Sequence, residues 1–491
     1  MAIVPASPVV LALDVGTSGV RALLVDEAGV PVARAYRETL PRCPAPGLVE
    51  HDLGTLDQAL REVIGAVLSE IAPGRLRAVG LSAQRATAAV WHARTGAPAA
   101  PALSWQDMRT TERCAALMSE GLYVSPLMAA SKLEWLLDRL DPQRQAVRAG
   151  ELACGTLDTW LAYRLTGGRV HVTDASQASC SGLWDFVRRD WSPSVTAALR
   201  IPQEALPRIV DSHGVLAPLD GAGGLPAVPL AALIGDQQGA MMGQLRLAPG
   251  EVKVSYGTAA MLDMNSGDDL VLSTRGGYPL VLWRRGGVLT YCLEGSAITA
   301  GAALVWLRDG LGILSDPADA DTIASAVPDS GGTWVIPAFQ GLGTPYLDPT
   351  ARAVLGGLSR ATTRAHVVRA LLEGIAWRCR EVYEALRSDS PHPEPRTLRV
   401  DGGLARSDVL LQAQADALGI PVERPAVLEA SALGAAYLAG LATGVWGTTD
   451  DLVGAWRCER VFEPRLDAGE RDARFACWQA HVSAARRPEP P

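Results

Sequence analysis

Two aspartates stand where apolar, strand-like segments end. Asp236 follows the run 228–234 within Gly235-Asp-Gln-Gln238, and Asp14 follows the run 9–13 and opens Asp14-Val-Gly-Thr-Ser18. Burying an unpaired charge is expensive, so a carboxylate at the end of a buried strand needs a chemical reason. One such reason is to take the proton of a substrate hydroxyl. Because both aspartates have Gly, Thr or Ser neighbours, the pair suggests phosphoryl transfer from a nucleotide to an alcohol.

Three segments of small residues could approach phosphates or a base. Asp14-Val-Gly-Thr17-Ser18-Gly-Val-Arg21 offers backbone N–H groups and hydroxyls that can surround phosphate oxygens, and Ser255-Tyr-Gly-Thr258 repeats the arrangement. Asp401-Gly-Gly403 ends a third apolar run, and its glycines would let a flat ligand such as adenine approach the backbone. Taken alone, each segment fits an ordinary turn at least as well. The repetition of the first pattern favours phosphate binding.

Two further segments offer groups for an acceptor. Arg85 follows a short apolar run and is a good multi-donor partner for hydroxyl oxygens. Trp105, which follows another short run, has a flat face for a carbon skeleton. Each residue by itself is more simply explained as structural.

These side chains must be positioned by strands and helices that the sequence also predicts. The runs 9–13 and 20–25 predict a hairpin, and the runs 252–256 and 259–264 predict a second one, which hints at a duplicated domain plan. Helical periodicity covers five segments, and Gly419 stands where a helix cap is expected. The five segments are 131–139, 299–307, 366–385, 407–418 and 430–441.

The length and composition limit the classes of protein. With 491 residues the chain predicts two domains, which we place at 1–247 and 248–484, with a disordered tail at 485–491. The net charge of −8 argues against nucleic-acid binding. We find no apolar run long enough for a membrane span and no basic segment typical of a signal peptide. Eight cysteines without a C-x-x-C pair predict reduced thiols in the cytoplasm and no metal–cysteine site.

Several segments, taken in order, carry a family resemblance. They include Gly155-Thr-Leu-Asp-Thr-Trp160, Gly168-Arg-Val-His-Val-Thr-Asp174, Gly235-Asp-Gln-Gln238 and Gly341-Leu-Gly-Thr-Pro-Tyr346. In this order the chain resembles the FGGY carbohydrate kinases, and within them the glycerol kinases, from about residue 9 to 446. The resemblance implies an α/β fold with two domains of the actin/hexokinase type, which is ribonuclease H-like, around a central cleft. It also implies ATP and Mg²⁺ as cofactors, a small polyol or sugar as substrate, and a homo-oligomer, either a dimer or a tetramer.

The resemblance assigns roles residue by residue. Asp236 would be the general base, and Asp14 would help to hold Mg²⁺. The acceptor would contact Arg85, Trp105, Asp236 and Gln237. The nucleotide would contact seven residues, namely Thr17, Ser18, Arg21, Thr258, Gly301, Gly403 and Ser407.

The acceptor pocket departs from the glycerol kinase pattern. The acidic residue that normally follows the arginine is Ala86, the tyrosine of the first family signature is Leu127, and an aromatic residue beyond the second hairpin is Met261. These changes remove bulk or polar groups, so we expect a larger or less polar acceptor and poor glycerol binding. Because the loop 221–226 carries no Arg, we also expect no inhibition by fructose bisphosphate.

Several readings remain open. Besides a glycerol kinase-like polyol kinase, the alternatives are a pentulose kinase of the xylulose or ribulose type and a kinase of an acidic polyol. Outside enzymes, a nucleotide-binding sensor on the same fold is the alternative. Because a sensor has no need of the base, the presence of both Asp14 and Asp236 argues against it.

Overall fold

The computed structural model describes residues 7–72, 74–220 and 226–486. These residues form two compact units. The first contains the residues up to Leu245 together with Val281–Leu289 and Ser431–Ala455. The second contains Arg246–Leu280, Thr290–Ala430 and the residues from Trp456 onwards. The chain first passes between the units at Leu245, and the division into domains 1–247 and 248–484 stays a prediction.

The part of the chain before residue 246 contains fourteen strands and eight α-helices among the described residues. The strands are β1 (Val9–Val15), β2 (Gly19–Asp26), β3 (Pro31–Glu38), β4 (Glu50–His51), β5 (Leu76–Ala83), β6 (Ala88–His92), β7 (Ala102–Leu103), β8 (Leu152–Thr156), β9 (Val172–Asp174), β10 (Trp184–Asp185), β11 (Asp190–Trp191), β12 (Arg208–Val210), β13 (His213–Pro218) and β14 (Pro229–Gly235). The helices are α1 (Leu53–Leu68), α2 (Thr111–Ser119), α3 (Ala130–Leu140), α4 (Gln145–Arg148), α5 (Leu157–Leu165), α6 (Ala175–Cys180), α7 (Pro193–Ala198) and α8 (Asp236–Gly243).

The rest of the chain continues the same mixture of strands and helices. Its strands are β15 (Val252–Tyr256), β16 (Ala260–Gly267), β17 (Tyr278–Arg285), β18 (Val288–Ala297), β19 (Trp334–Ile336), β20 (Val354–Gly356), β21 (Leu398–Asp401), β22 (Val422–Pro425) and β23 (Cys458–Phe462). Its helices are α9 (Gly301–Asp309), α10 (Ala320–Ala324), α11 (Arg364–Asp389), α12 (Asp408–Leu418), α13 (Ala430–Ala442) and α14 (Ala468–Ala485).

The first unit is built on a six-stranded sheet in the order β13-β14-β5-β1-β2-β3. The central strands β14, β5 and β1 are parallel, and β1 is buried along its whole length, as its continuous apolar sequence predicts. Helix α1 begins at the N-cap Asp52, whose side chain accepts a hydrogen bond from the Thr55 N–H. Its buried residues recur at helical spacing, so one face of the helix packs against the sheet.

Helix α13 also belongs to the first unit, although it lies late in the sequence. Glycines allow it to approach very closely. A Cβ atom on Gly80 of β5 would stand 2.1 Å from the Ala435 carbonyl oxygen, and one on Gly434 would stand 1.9 Å from the Gly239 carbonyl oxygen. Any side chain at these positions would push the helix away from β5 and α8.

The second unit is built on a seven-stranded sheet in the order β17-β18-β16-β15-β21-β22-β23. Its core lies on the sheet face that carries Val252, Val254 and Val400, against the long helix α11. Helix α12 has Ser407 as its N-cap and ends at Gly419, which adopts the left-handed conformation with φ 74°. The predicted cap at Gly419 is therefore confirmed.

The predicted hairpins and helices are present. Both hairpins pair antiparallel, as β1–β2 and β15–β16, and all five helical segments are helices whose ends differ from the prediction by at most four residues. The segment 217–229 is rich in proline and glycine, which predicts a surface loop, but strands β13 and β14 occupy its ends. Its residues 221–225, on which the expectation about fructose bisphosphate depends, lie outside the described residues, as does the predicted tail from residue 487 onwards.

Candidate active site

Three parallel strands of the first unit end side by side and bring the predicted acceptor and phosphate residues together. In the sheet, Val15 of β1 is paired with Ala83 of β5, which is paired with Gly235 of β14. The residues that follow these positions are therefore neighbours at one edge of the sheet. Ligands of open α/β sheets commonly bind at this carboxyl edge.

Asp236, the predicted base, is the first residue of α8 and its side chain is 26 % exposed. Its Oδ1 atom lies 3.2 Å from Nε of Arg85 and accepts a hydrogen bond of 2.9 Å from the backbone N–H of Gln237. Ser431 of α13 donates its hydroxyl to the Asp236 carbonyl oxygen at 2.8 Å. The carboxylate is thus oriented by its contacts and reachable from solvent, as proton transfer requires.

Cys180 is a neighbour of Arg85 that the sequence does not predict. Its Sγ atom lies 3.6 Å from the Arg85 guanidinium and 3.6 Å from the Gln238 side-chain amide. No motif points to it, because its proximity to Arg85 and Gln238 depends on how α6 packs beside β5 and β14.

Asp14, the predicted magnesium ligand, is the second-last residue of β1. Its Oδ1 atom accepts a hydrogen bond of 3.0 Å from the Ser82 hydroxyl, and its Oδ2 atom lies 3.4 Å from the Arg21 guanidinium. The side chain is 12 % exposed. An oxygen ligand of this kind fits Mg²⁺, which commonly takes one or two carboxylates together with substrate phosphates. Within the described residues there is no group of three or more His, Cys, Asp or Glu side chains arranged to hold a metal.

The first glycine-rich turn carries a predicted phosphate residue that contacts a predicted acceptor residue. The Gly16 N–H donates to the Gly19 carbonyl oxygen at 3.0 Å and closes the turn, which exposes Ser18. Trp105 donates its indole N–H to the Thr17 hydroxyl at 3.0 Å, and Thr17 contacts the Gln84 side chain at 3.1 Å. A predicted acceptor residue and a predicted phosphate residue are therefore in direct contact.

Helix α6 and the preceding Asp174 hold two of the strand ends. The buried Asp174 carboxylate accepts hydrogen bonds from the hydroxyls of Ser212 at 2.6 Å and Ser176 at 2.8 Å. Ser176 in turn accepts the Gly235 N–H at 2.9 Å, and Gln177 donates its amide to the Ala83 carbonyl oxygen at 2.8 Å. Burial raises the pKa of Asp174, and the hydrogen bonds from Ser212, Ser176 and Gln177 oppose that rise. The motif ending at Asp174 thus fixes the backbone just before Arg85 and Asp236.

The second unit assembles its own turn. Gly257 N–H donates to the Ala259 carbonyl oxygen at 2.9 Å, and the Gly301 N–H donates to the Gly257 carbonyl oxygen at 3.0 Å. A Cβ atom on Gly301 would stand 2.7 Å from that oxygen, so only glycine fits without a shift. The predicted nucleotide contacts Thr258 and Gly301 are thereby brought together at the start of α9.

The third segment also lies at a strand end of the second unit. Gly402 has φ 85°, and a Cβ atom there would stand 2.4 Å from the Tyr256 carbonyl oxygen, whereas a Cβ atom on Gly403 would meet no atom within 4 Å. Gly403 therefore borders open space that a flat ligand could use. Ser407 donates its hydroxyl to Asp321 at 2.6 Å and accepts the Leu410 N–H at 3.1 Å. Its proton is thus committed to a structural contact.

The three positions that depart from the glycerol kinase pattern have different environments. Ala86 follows Arg85 with a left-handed backbone (φ 59°) and is 5 % exposed. Leu127 is 43 % exposed. Met261 lies on β16 in the second unit, paired with Ser255 of β15. No described helix is long and apolar enough to cross a membrane.

Comparison with known proteins gives two family matches that together cover most of the chain. Residues 9–243 match the N-terminal domain, and residues 252–443 the C-terminal domain, of the FGGY family of carbohydrate kinases. The glycerol kinase of Dechloromonas aromatica is 44 % identical over 485 residues, which are 96 % of each chain.

Solved structures agree with these matches. The glycerol kinase of Plasmodium falciparum with ADP has a TM-score of 0.90 at 28 % identity, covering 98 % of this chain and 99 % of that one. The xylulose kinase of Rhodospirillum rubrum has a TM-score of 0.81 at 26 % identity, covering 97 % and 98 %. The fold expectation is confirmed as the two-domain α/β kinase fold of these proteins.

Proposed function

Because this chain belongs to the FGGY family of carbohydrate kinases and phosphorylates a small polyol or sugar with ATP, we propose that its preferred acceptor is a linear polyol longer than glycerol. The observation that carries this proposal is the methyl side chain of Ala86 beside Arg85. A methyl group cannot hydrogen-bond to a hydroxyl, whereas the resemblance implies a carboxylate here. The loss of one buried hydrogen bond costs about 1 kcal/mol or more, and the smaller side chain leaves room for additional carbons.

Leu127 supports the proposal because it would give the acceptor site a less polar lining. The Ala130 N–H, close to Leu127 in sequence, donates to the Ser181 carbonyl oxygen at 2.8 Å, and Ser181 follows Cys180, which contacts Arg85. The exposed Leu127 side chain therefore belongs to a segment close to the Arg85 neighbourhood. Apolar contact with the carbon chain favours a longer polyol over a three-carbon triol.

In the proposed mechanism Asp236 is the base. As the acceptor oxygen forms its bond to the γ-phosphorus, the hydroxyl proton passes to the Asp236 carboxylate and ADP departs with the electrons of the broken P–O bond. Because the contacts from Arg85 and Gln237 both use Oδ1, we expect Oδ2 to take the proton. A positioned base contributes on the order of 10²–10⁴-fold in rate.

Asp14 and the turn at Thr17 and Ser18 would hold the phosphate end of the nucleotide. Mg²⁺, when bound, supplies charge neutralisation at the phosphate oxygens. Asp14 would be its protein ligand, and Arg21 would reach phosphate oxygens from β2. In the second unit Thr258, Gly301, Gly403 and Ser407 remain the proposed nucleotide contacts.

A ketopentose is the second candidate acceptor, favoured by the 26 % identity to the Rhodospirillum rubrum xylulose kinase over nearly the full chain. An acidic polyol is a weaker candidate. Arg85, the cation that would recognise its carboxylate, already lies 3.2 Å from Asp236.

The proposal also includes a cytoplasmic homo-oligomer, either a dimer or a tetramer. Its support is the family resemblance together with the cysteines, all eight of which are free thiols. Free thiols are typical of a reducing compartment.

The test is an ADP-release assay with the purified protein, ATP and Mg²⁺ across glycerol, tetritols, pentitols, ketopentoses and sugar acids. We expect kcat/KM for a tetritol or pentitol to exceed that for glycerol at least about tenfold, which is about 1.4 kcal/mol. Ala86→Glu should narrow that ratio in favour of glycerol, and Ala86→Gln, of equal size but uncharged, is the matched control.

Glycerol as the best acceptor of the wild-type protein would refute the proposed acceptor. A ketopentose or a sugar acid as the best acceptor would establish the corresponding alternative instead. No ADP release with any acceptor would favour the nucleotide-binding sensor.

A further inference from the structure

A continuous path of hydrogen bonds runs beneath the acceptor and phosphate residues of the first unit. Lys132 donates its ammonium to the Trp105 carbonyl oxygen at 3.1 Å, and Trp105 donates its indole N–H to the Thr17 hydroxyl at 3.0 Å. Thr17 donates that hydroxyl to Gln84 at 3.1 Å, and the Gln84 amide lies 3.1 Å from Nε2 of His51. The path therefore connects β4, the end of β5, the first turn and α3.

Chemistry fixes the direction of the hydrogen bonds that the Lys132 amine and the Trp105 indole donate. An indole N–H can only donate, so the Thr17 oxygen accepts from Trp105. Thr17 then gives its proton to the Gln84 carbonyl oxygen, which turns the Gln84 NH₂ group toward His51. Burial lowers the pKa of His51 to about 4, so at neutral pH this imidazole is uncharged and its Nε2 can accept.

Two side chains of this hydrogen-bond path are buried. Lys132 is fully buried and Gln84 is 1 % exposed. A buried ammonium is costly, and burial lowers the pKa of Lys132 to about 7 against the opposing charge of Asp107. An apolar side chain of the same length would fill the space of Lys132 without the cost of burying an ammonium group. The contact of the Lys132 amine with the Trp105 backbone therefore indicates a role beyond packing.

The loop that carries Trp105 is held on its other side as well. Ser104 N–H donates to the Val49 carbonyl oxygen at 3.0 Å, and the Val49 N–H donates to the Asp107 carboxylate at 2.6 Å. Trp105 therefore sits between two anchors, the segment before β4 and Lys132, and its indole is the part that reaches Thr17.

We infer that Gln84 and Lys132 are positioning residues that hold Trp105 and Thr17 as one unit, so that acceptor binding and phosphate binding strengthen each other. The inference rests on the proposed roles of Trp105 at the acceptor and of Thr17 at the phosphates. An acceptor stacked on Trp105 fixes the indole N–H, which fixes the Thr17 side chain before the phosphates arrive. The reciprocal effect on the acceptor must have the same size, because coupling between two binding sites is mutual.

The test measures that coupling directly by calorimetry with the full chain. The dissociation constant of a non-hydrolysable ATP analogue with Mg²⁺ is determined with and without the polyol that gives the highest kcat/KM, glycerol included in that choice. We expect the polyol to tighten analogue binding at least about fivefold in the wild type, in the usual range for coupled sites. Trp105→Phe, which keeps the flat ring but removes the N–H, should reduce this factor to within twofold of one.

A second variant addresses the positioning residues themselves. Gln84→Met removes both side-chain hydrogen bonds at similar volume and should lower the coupling factor as Trp105→Phe does. Lys132→Met should raise the KM values for both substrates more than it lowers kcat. The matched control is Trp91→Phe, which deletes a fully buried indole N–H that has no hydrogen-bond partner among the described residues. This control should keep the wild-type coupling.

The outcomes separate this inference from the acceptor proposal. No coupling in the wild type, or coupling unchanged in Trp105→Phe, would overturn the inference whichever polyol is preferred. If Gln84→Met does not fold, Trp105→Phe alone decides. A preference for glycerol would refute the longer-polyol proposal and leave the coupling measurement intact.

Discussion

The two glycine-threonine hairpin turns, one in each unit, have the same strand pairing but differ in turn length and in charge. The first turn closes with a hydrogen bond from the Gly16 N–H to the carbonyl oxygen of Gly19 at 3.0 Å, whereas the shorter second turn closes with one from the Gly257 N–H to the carbonyl oxygen of Ala259 at 2.9 Å. Each first strand pairs antiparallel with the next strand and parallel with a later one. The backbone plan is therefore repeated.

The side chains at matching positions are exchanged. In the first unit Asp14 is paired in the sheet with Ser82 of β5, whereas in the second unit Ser255 is paired with Asp401 of β21. Across the hairpin, Asp14 faces Arg21, but Ser255 faces Met261. The first hairpin thus presents a carboxylate and a guanidinium beside its turn, and the second presents a hydroxyl and a thioether.

One pleat further from the turn, the contrast reverses. Lys253 and Asp263 are both completely buried with Nζ and Oδ2 2.8 Å apart, while the matching positions in the first unit are Ala12 and Leu23. The first hairpin has its charged side chains beside the turn, whereas the second has a charge pair buried in the interior of its unit. Repetition of a backbone therefore does not repeat its chemistry, which individual side chains decide.

Asp236→Asn should have the largest effect, because it removes the proposed proton acceptor from the first unit. We expect kcat to fall by about 10³-fold while the affinity for an ATP analogue stays within about twofold. Steady-state kinetics and calorimetry measure the two quantities, and Asp220→Asn on the surface is the control. Retention of more than a tenth of the activity would remove Asp236 from the role of base.

Asp14→Asn against Ser255→Ala tests the exchange between the hairpins. We expect kcat/KM for ATP to fall by about 10²-fold and the Mg²⁺ requirement to rise in Asp14→Asn, because electrostatic stabilisation of phosphates is worth several kcal/mol. Ser255→Ala should cost less than about tenfold. Titrations of the rate with Mg²⁺ measure the loss in each variant. Equal losses would mean that the second hairpin contributes as much to the reaction with ATP as the first.

Lys253→Met tests the internal charge pair. Removing one partner of a fully buried pair costs roughly 3–5 kcal/mol of unfolding free energy, since the other charge is left without compensation. The double variant Lys253→Met with Asp263→Leu should recover most of this loss. Urea unfolding measures the free energy of unfolding of the wild type, the single variant and the double variant. A single variant as stable as the wild type would show that the pair contributes nothing.

His51→Gln should have the smallest effect and concerns only the first unit. The pKa of His51 is lowered to about 4 from its usual 6.5, so the unfolded chain binds more protons between these values. Stability from this group is complete above pH 6.5 and is lost as the pH falls toward 4, by up to about 3 kcal/mol. The dependence of unfolding free energy on pH between 4.5 and 6.5 should be shallower in His51→Gln. An unchanged dependence would contradict the burial of a neutral imidazole.

Local pattern was enough to predict the elements that position the site. The β-branched runs around residues 9–25 and 252–264 became hairpins, and Gly419 took the left-handed cap conformation. These features depend on neighbours in sequence, because strand alternation, helical spacing and the backbone freedom of glycine act over a few residues.

Long-range packing hid other parts of the site. Four residues around the site lie far in sequence from residues that they hold, namely Lys132, His51, Cys180 and Asp174. No spacing rule connects them to Asp236 or Trp105. Ser407 stays a predicted nucleotide contact, and its hydroxyl donates to Asp321, a partner that no local pattern indicates. Such partners are selected by the burial of a polar group, which must find whichever donor or acceptor the fold brings within reach.

The sequence by itself determined the family and the phosphoryl transfer, and it predicted two carboxylates for that reaction, because motifs of contiguous residues carry that information. Only the tertiary structure decided that Val15, Ala83 and Gly235 end in one row and that the Trp105 indole binds the Thr17 hydroxyl. Strand pairing sets the first and loop packing sets the second. Both join residues separated by dozens of positions, whose proximity exists only once the chain has folded.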